Sequence, residues 1–278
     1  MNQNVICIQD LSCFGKCSLT ISLPVLSSIG LSVTPLPTAL LSTHTGGLGK
    51  PYMLDLCDSM HEILNHWREL DLSVSALYSG YVSHAAQLNE ISHLFSQYPD
   101  ALHLVDPVLG DHGHLYASLS EELIWEMRRL CAKADIVTPN MTEAYALLQE
   151  PYCEGPYREG EIIRLLEKLY QMTQATVLLT GVWLNNSELG CAIYEANQTP
   201  QLLMRERLPY HFHGTGDLFA SAFLGAYLHQ KALANACDIA MRFTTMSMEY
   251  SERHHADERY GLMFEPLLPQ YISMCKQK

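Results

Sequence analysis

Gly214-Thr215-Gly216-Asp217 stands directly before an apolar run that begins at Leu218. Two glycines allow backbone N–H groups to approach an anion closely, and a helix N-terminus adds unpaired donors and a favourable dipole. Asp217 in the same turn suits two tasks. It can cap the helix, or, beside a transferring phosphoryl group, it can take the proton of an attacking hydroxyl. Asn140-Met141-Thr142-Glu143 also reads two ways. An Asn followed three residues later by Glu is an ordinary helix start. The same pair could hold Mg²⁺ through Glu143, directly or through water, with Asn140 on a phosphate oxygen. Asp106 and Asp111 share one loop; they are either two solvated carboxylates or, next to Glu143, a cation site. The chain has no G-x-x-x-x-G-K-[ST] loop, no H-R-D and no D-F-G. Phosphate charge would therefore rest on Mg²⁺ and backbone dipoles.

These residues need a scaffold that brings them to one edge. Apolar runs at 5–8, 33–40, 74–78, 102–105, 136–138 and 176–180 read as strands, the second broken by Pro35 and Pro37. Helical spacing appears at 19–29, 53–70, 85–98, 119–132, 141–148, 161–172, 218–228, 233–250 and 264–274, and 188–207 reads as a hairpin. Strands alternating with helices imply βαβ units and a mainly parallel sheet, because parallel neighbours need a crossover. The expected fold is α/β in a single domain spanning residues 1–278, since neither a linker nor a repeat interrupts the pattern. In such sheets ligands bind beyond the carboxyl ends of the strands. Asp10, Thr45, Tyr81, Asp106, Asn140, Thr180 and Asp217 all follow predicted strands or their loops, which points to an enzyme. Two loops look mobile, the glycine-bearing stretch 43–51 and the Pro- and Gly-rich stretch 150–160.

Composition narrows the partners. Seventeen Lys and Arg against 30 Asp and Glu give a net charge of −13. That excludes a general phosphate-binding face, so neither nucleic acid nor an anionic membrane surface is expected as a partner. No run is long and apolar enough to span a bilayer, and no basic leader precedes residues 5–8. Nine cysteines without a C-x-x-C pair read as reduced thiols in a cytoplasmic protein, Cys13 and Cys17 among them as packing groups.

The ordered segments Ser42-Thr43-His44-Thr45-Gly46, Ser79-Gly80-Tyr81, Asp106-Pro107-Val108-Leu109-Gly110-Asp111, Thr138-Pro139-Asn140-Met141-Thr142-Glu143 and Gly214-Thr215-Gly216-Asp217-Leu218-Phe219 resemble the ribokinase-like superfamily. The His-Thr-Gly and Ser-Gly-Tyr segments resemble its vitamin B6 branch, the pyridoxal kinases. The resemblance implies a three-layer α/β/α sandwich, a homodimer, and transfer of phosphate from ATP to the 5′-hydroxymethyl of a B6 vitamer, a small heteroaromatic alcohol. It implies Asp217 as base, Gly214 to Gly216 as the anion hole, and Asn140 with Glu143 as the Mg²⁺–ATP motif. Asp106 and Asp111 become the cation-and-phosphate loop, with Asp106 and Glu143 as metal ligands and a monovalent cation as a further candidate. Thr180 would lie near the ATP phosphates, Thr45 at the ring substituents and Tyr81 near the ring. His44 and His213 would touch substrate or phosphate, or stand behind groups that do.

Asp10 departs from that pattern: many pyridoxal kinases carry Ser after the Gln. Asp10-Leu11-Ser12 is similar to the start of hydroxymethylpyrimidine kinases of thiamine biosynthesis, which gives a second reading of the substrate. Asp10 and Ser12 are thus candidate substrate contacts. The carboxylate could accept from a ring N–H⁺, a hydroxyl or an amine, favouring a cationic ligand such as pyridoxamine, or it could merely cap the next helix. A B6-binding protein without catalysis is the reading of a different class, disfavoured because Asp217, Glu143 and the glycines are all present.

Overall fold

The computed structural model describes residues 3–116 and 119–276. Met1 and Asn2, on which the lack of a leader is partly read, lie outside the described residues. In chain order the elements are β1 (Asn4–Ser12), α1 (Leu19–Ser28), β2 (Ser32–Leu41), β3 (Met53–Asp55), α2 (Cys57–Trp67), β4 (Ala76–Ser79), α3 (Ala85–Gln97), β5 (Leu102–Val105), β6 (Gly110–Asp111), β7 (His114–Leu115), α4 (Glu121–Cys131), β8 (Ile136–Val137), α5 (Met141–Leu148), α6 (Glu159–Thr173), β9 (Thr176–Asn185), β10 (Glu188–Tyr194), β11 (Gln201–Glu206), α7 (Thr215–Leu228), α8 (Leu233–Arg253) and α9 (Leu268–Lys276). The α/β character and the mainly parallel pairing expected from the sequence are present. The chain divides into two compact units, Met1–Ser75 with Leu208–Lys278, and Ala76–Arg207. Among the described residues no helix is long and apolar enough to cross a membrane.

In the first unit β1 runs parallel to β2, with Val5 opposite Val33 and Ile8 opposite Leu36. Val5 to Ile8 are fully buried, as an apolar run without alternation requires when both faces of a strand are covered. The two prolines do not break β2. They lie two residues apart, so their donor-less nitrogens face the same side, and the antiparallel partner β3 reaches only Ala39 to Leu41. Residues 53–70 are not one helix. Met53 to Asp55 pair with β2, and α2 starts at Cys57, because edge pairing competes with a spacing that suits either state. Helix α1 packs on β1 and α7, and α7 packs on α8. Leu218 to Ala226 of α7 are all buried, the mark of an interior helix. Phe243 stacks on Tyr271 at 4.8 Å, and the Tyr271 hydroxyl donates to the Ala222 carbonyl at 3.0 Å. The expected helix 264–274 resolves into a 3₁₀ turn, Glu265–Leu267, followed by α9.

In the second unit β4, β5, β8 and β9 are successive parallel neighbours, and β9, β10 and β11 continue as antiparallel ones. The expected hairpin is the β10–β11 pair. Ser120 caps α4, accepting from the Leu123 N–H at 3.1 Å. The β6–β7 hairpin is too short to leave a periodic signal. Its turn residues, His112 and Gly113, both have positive φ, as a tight two-residue hairpin demands.

Candidate active site

Within the first unit the carboxyl end of β1 delivers Asp10 and Ser12, both buried. The Ser12 hydroxyl donates to Asp10 Oδ2 at 2.9 Å. Asp10 does not cap α1: the N-cap position is Ser18, whose φ of 48° places it in the sparsely populated left-handed half of backbone space. That conformation aims the Ser18 N–H at Asp217 Oδ2, 2.9 Å away. Asp217 is likewise not an N-cap. Helix α7 begins at Thr215, earlier than its apolar run suggests, and Gly214 caps it with φ 81°. A Cβ on Gly214 would lie 2.6 Å from both Ile21 Cδ1 and the Lys16 carbonyl, so only glycine fits. Beyond Gly216 the space is open, so the first turn of α7 keeps room beside its donors.

Asp217 is held up at a pKa of about 7, chiefly by burial and further by the charge of Asp10, with the Ser18 N–H pulling the other way. Asp10 is also raised, by burial first, against hydrogen bonds from Ser18 and Ser12. The Cys17 thiol lies in the field of both carboxylates and is pushed well up, burial being the larger cause. A thiol held protonated in this way is consistent with a packing group, and its place beside Asp10 and Asp217 has no local sequence signal.

His44 is buried and fully engaged. Its Nδ1 accepts from the Gly46 N–H at 3.1 Å, and its Nε2 lies 2.6 Å from the Arg259 carbonyl. With Nδ1 accepting, Nε2 is the nitrogen that donates to the Arg259 carbonyl. His44 thus pins the loop after β2, with both ring nitrogens engaged by backbone groups. The His213 ring sits 4.8 Å from it, and a Cβ on Gly46 would meet that ring at 2.1 Å. Thr45, next in the chain, is exposed.

The second unit gathers the other candidates at its own strand ends. Tyr81 follows β4 and Asp106 follows β5, both buried. Asn140 and Glu143 form a full capping box on α5. Asn140 Oδ1 accepts from the Glu143 N–H at 3.0 Å, and Glu143 Oε2 accepts from the Asn140 N–H at 2.8 Å. The helix-start reading is correct, and it leaves functional capacity. Asn140 Nδ2 donates to the Gly110 carbonyl at 2.8 Å, one of its two hydrogens. Glu143 Oε1 accepts from the Leu109 N–H at 3.2 Å. Glu143 is nonetheless pushed well above the usual carboxylate range by burial, then by Asp106 and more weakly by Asp111. Thr180 bridges to Asn140 across the sheet, although β9 runs on past it to Asn185. Thr142, which the sequence did not single out, ties the β6–β7 turn to α5 by accepting from the Gly113 N–H at 2.9 Å. The buried Thr138 hydroxyl finds no hydrogen-bond partner.

Among the described residues no three acidic, His or Cys groups converge as a ready cage for a metal. Mg²⁺ does not require one, since it is commonly held by one or two carboxylates and completed by water and phosphate. Glu143 is raised by burial first and then by repulsion from Asp106, and a divalent cation relieves that repulsion, so the donor set fits Mg²⁺.

The phosphomethylpyrimidine kinase family model matches residues 37–261. A Bacteroides thetaiotaomicron protein assigned to the phosphomethylpyrimidine kinases and crystallised with pyridoxal is 34% identical, with a TM-score of 0.92 over 98% of this chain and 96% of its own. Pyridoxal kinase from Lactobacillus plantarum is 32% identical, with a TM-score of 0.90 over 98% and 97%. Pyridoxal kinase from Ovis aries is 26% identical over 77% of this chain and 74% of its own length.

Proposed function

Because the chain belongs to the phosphomethylpyrimidine kinase family, we propose that it is an ATP-dependent kinase acting on the 5′-hydroxymethyl group of a vitamin B6 vitamer. The observation that carries this reading is the cluster at the start of α7. A half-buried Asp217 with a pKa of about 7 lies beside the unsatisfied donors of a helix N-terminus. Proton acceptance and anion stabilisation are the two tasks a hydroxyl-to-phosphate transfer sets.

In the proposed reaction Asp217 takes the hydroxyl proton as that oxygen attacks the γ-phosphorus of ATP. The new P–O bond forms as the bond to the β-phosphate oxygen breaks, and ADP leaves with the electron pair. The N–H groups of Gly214, Thr215 and Gly216 receive the charge that develops on the transferred group. Glu143 and Asp106 would hold Mg²⁺, which neutralises phosphate charge when bound, with Asn140, Asp111 and Thr180 as phosphate-side contacts. Asp10, Ser12, Thr45 and Tyr81 would meet the acceptor ring, and His44 would hold their loop in place. The chain would act as one domain, as a homodimer and in the cytoplasm; nine unbridged cysteines support the compartment.

The family description keeps hydroxymethylpyrimidine as the second reading, while the named relatives favour B6. Specificity constants for pyridoxal, pyridoxine, pyridoxamine and hydroxymethylpyrimidine decide between them. A B6 vitamer should lead, and a lead by the pyrimidine would overturn the proposal.

A further inference from the structure

We propose that Asp10 selects the acceptor by charge: its carboxylate receives a cationic N–H of the substrate, an ammonium or a ring N–H⁺. This inference rests on the B6-kinase reading and deepens it.

The first unit places two carboxylates, Asp10 and Asp217, within reach of each other's field, and among the described residues no Lys or Arg pairs with either. Asp10 is 4% exposed. Its hydrogen-bond partners are the hydroxyls of Ser12 and Ser18 and its own backbone N–H, which stabilise an anion without neutralising it. The cations of the neighbouring segments are committed elsewhere: Lys16 pairs with Glu265 at 2.7 Å, and Arg259 with Asp257 at 2.6 Å. The groups facing Asp10 are Asp217 from α7, Cys17 and Ser18 from the loop before α1, Ser12 from β1, and His44 from the loop after β2. His44 is the basic one, and its influence on Asp10 is the weakest of those acting on that carboxylate. A buried carboxylate beside a second carboxylate, with no Lys or Arg paired to it, is costly unless a ligand brings the charge. Pyridoxamine, with its ammonium, carries one more positive charge than pyridoxine or pyridoxal, whereas a protonated ring nitrogen is common to all three.

The test is the wild-type protein against Asp10→Asn and Asp10→Ser, with folding checked by circular dichroism and Tm. Both kcat/KM and calorimetric Kd are measured for the three vitamers. A charge-assisted hydrogen bond of this kind corresponds to about a 10- to 100-fold change. If the ammonium sits on Asp10, the ratio of pyridoxamine to pyridoxine kcat/KM falls by that factor in both variants. If the ring N–H⁺ sits there, all three vitamers weaken by a similar factor and the ratio holds. Either result supports the proposal and names the source of the charge. Variants within twofold of wild type for every vitamer, in kcat/KM and Kd alike, overturn it. A wild-type protein that phosphorylates no vitamer defeats the kinase reading instead, and charge selection is then decided by the Kd values alone.

Discussion

Asp217→Asn separates activity from stability, and the structure gives the sign of each. A folded-state pKa of about 7 against an ordinary value of 3.8 means that the native protein binds this proton more tightly than the unfolded chain does. The carboxyl group therefore destabilises the fold above pH 7, and the penalty is relieved as pH falls from about 7 towards 3.8. At about 1.36 kcal/mol per pKa unit the full penalty is about 4 kcal/mol. Asparagine removes the charge and keeps an oxygen for the Ser18 N–H, giving back about 1 kcal/mol through the weaker neutral bond. Above pH 8 the variant should be about 2–4 kcal/mol more stable, a rise in Tm of about 5–10 °C. Near pH 4 the two proteins should melt together. Loss of the base should lower kcat by about 10²- to 10⁴-fold. The wild-type kcat/KM should fall on the acid side with an apparent pKa of about 7. Thermal melts from pH 4 to 9 and a pH–rate profile provide the assay. An equal Tm difference at pH 4 and pH 8, or a profile flat to pH 5, would refute the assignment of that proton to Asp217.

Two other perturbations follow from the same geometry. Millimolar Mg²⁺ should stabilise the wild-type fold at neutral pH by about 1–3 kcal/mol at 10–100 times its Kd, read as a rise in Tm; Glu143→Gln should abolish the increment, and a rise as large as in the wild type would remove Glu143 from the cation site. Gly214→Ala must accommodate contacts of 2.6 Å at a φ of 81°, so urea unfolding should show a loss of about 1–3 kcal/mol, together with a fall in kcat.

What was legible in the sequence follows from how far apart the partners lie. The capping box of Asn140 and Glu143 spans three residues, so its spacing reveals it whether or not a cation also binds. The parallel strands could be read from apolar runs, and with them the strand ends that carry Asp10 and Asp106; Thr180 instead lies inside β9, which runs on to Asn185. The errors arise where one pattern admits two structures. Residues 53–55 have helical spacing yet join the sheet edge, and Pro35 and Pro37 look like breaks until β3 proves too short to need their donors.

The contacts around Asp10 and Asp217 were out of reach for a different reason. Ser18 and Asp217 lie 199 residues apart, and their bond depends on the packing of α1 against α7, which no local rule encodes. Judged within its own turn, Asp217 looks like a cap. Judged in the fold, it is released from capping by Gly214 and bonded to a strained Ser18 instead. Strain of this kind persists only where the surroundings over-determine it. Here they do so through the close approach of Gly214 to the Lys16 carbonyl, which locks the loop carrying Cys17 and Ser18 onto the start of α7. The same lock holds Asp10 and Asp217 in one field, so the raised pKa of the proposed base and the proposed demand for a cationic acceptor would have a single structural origin.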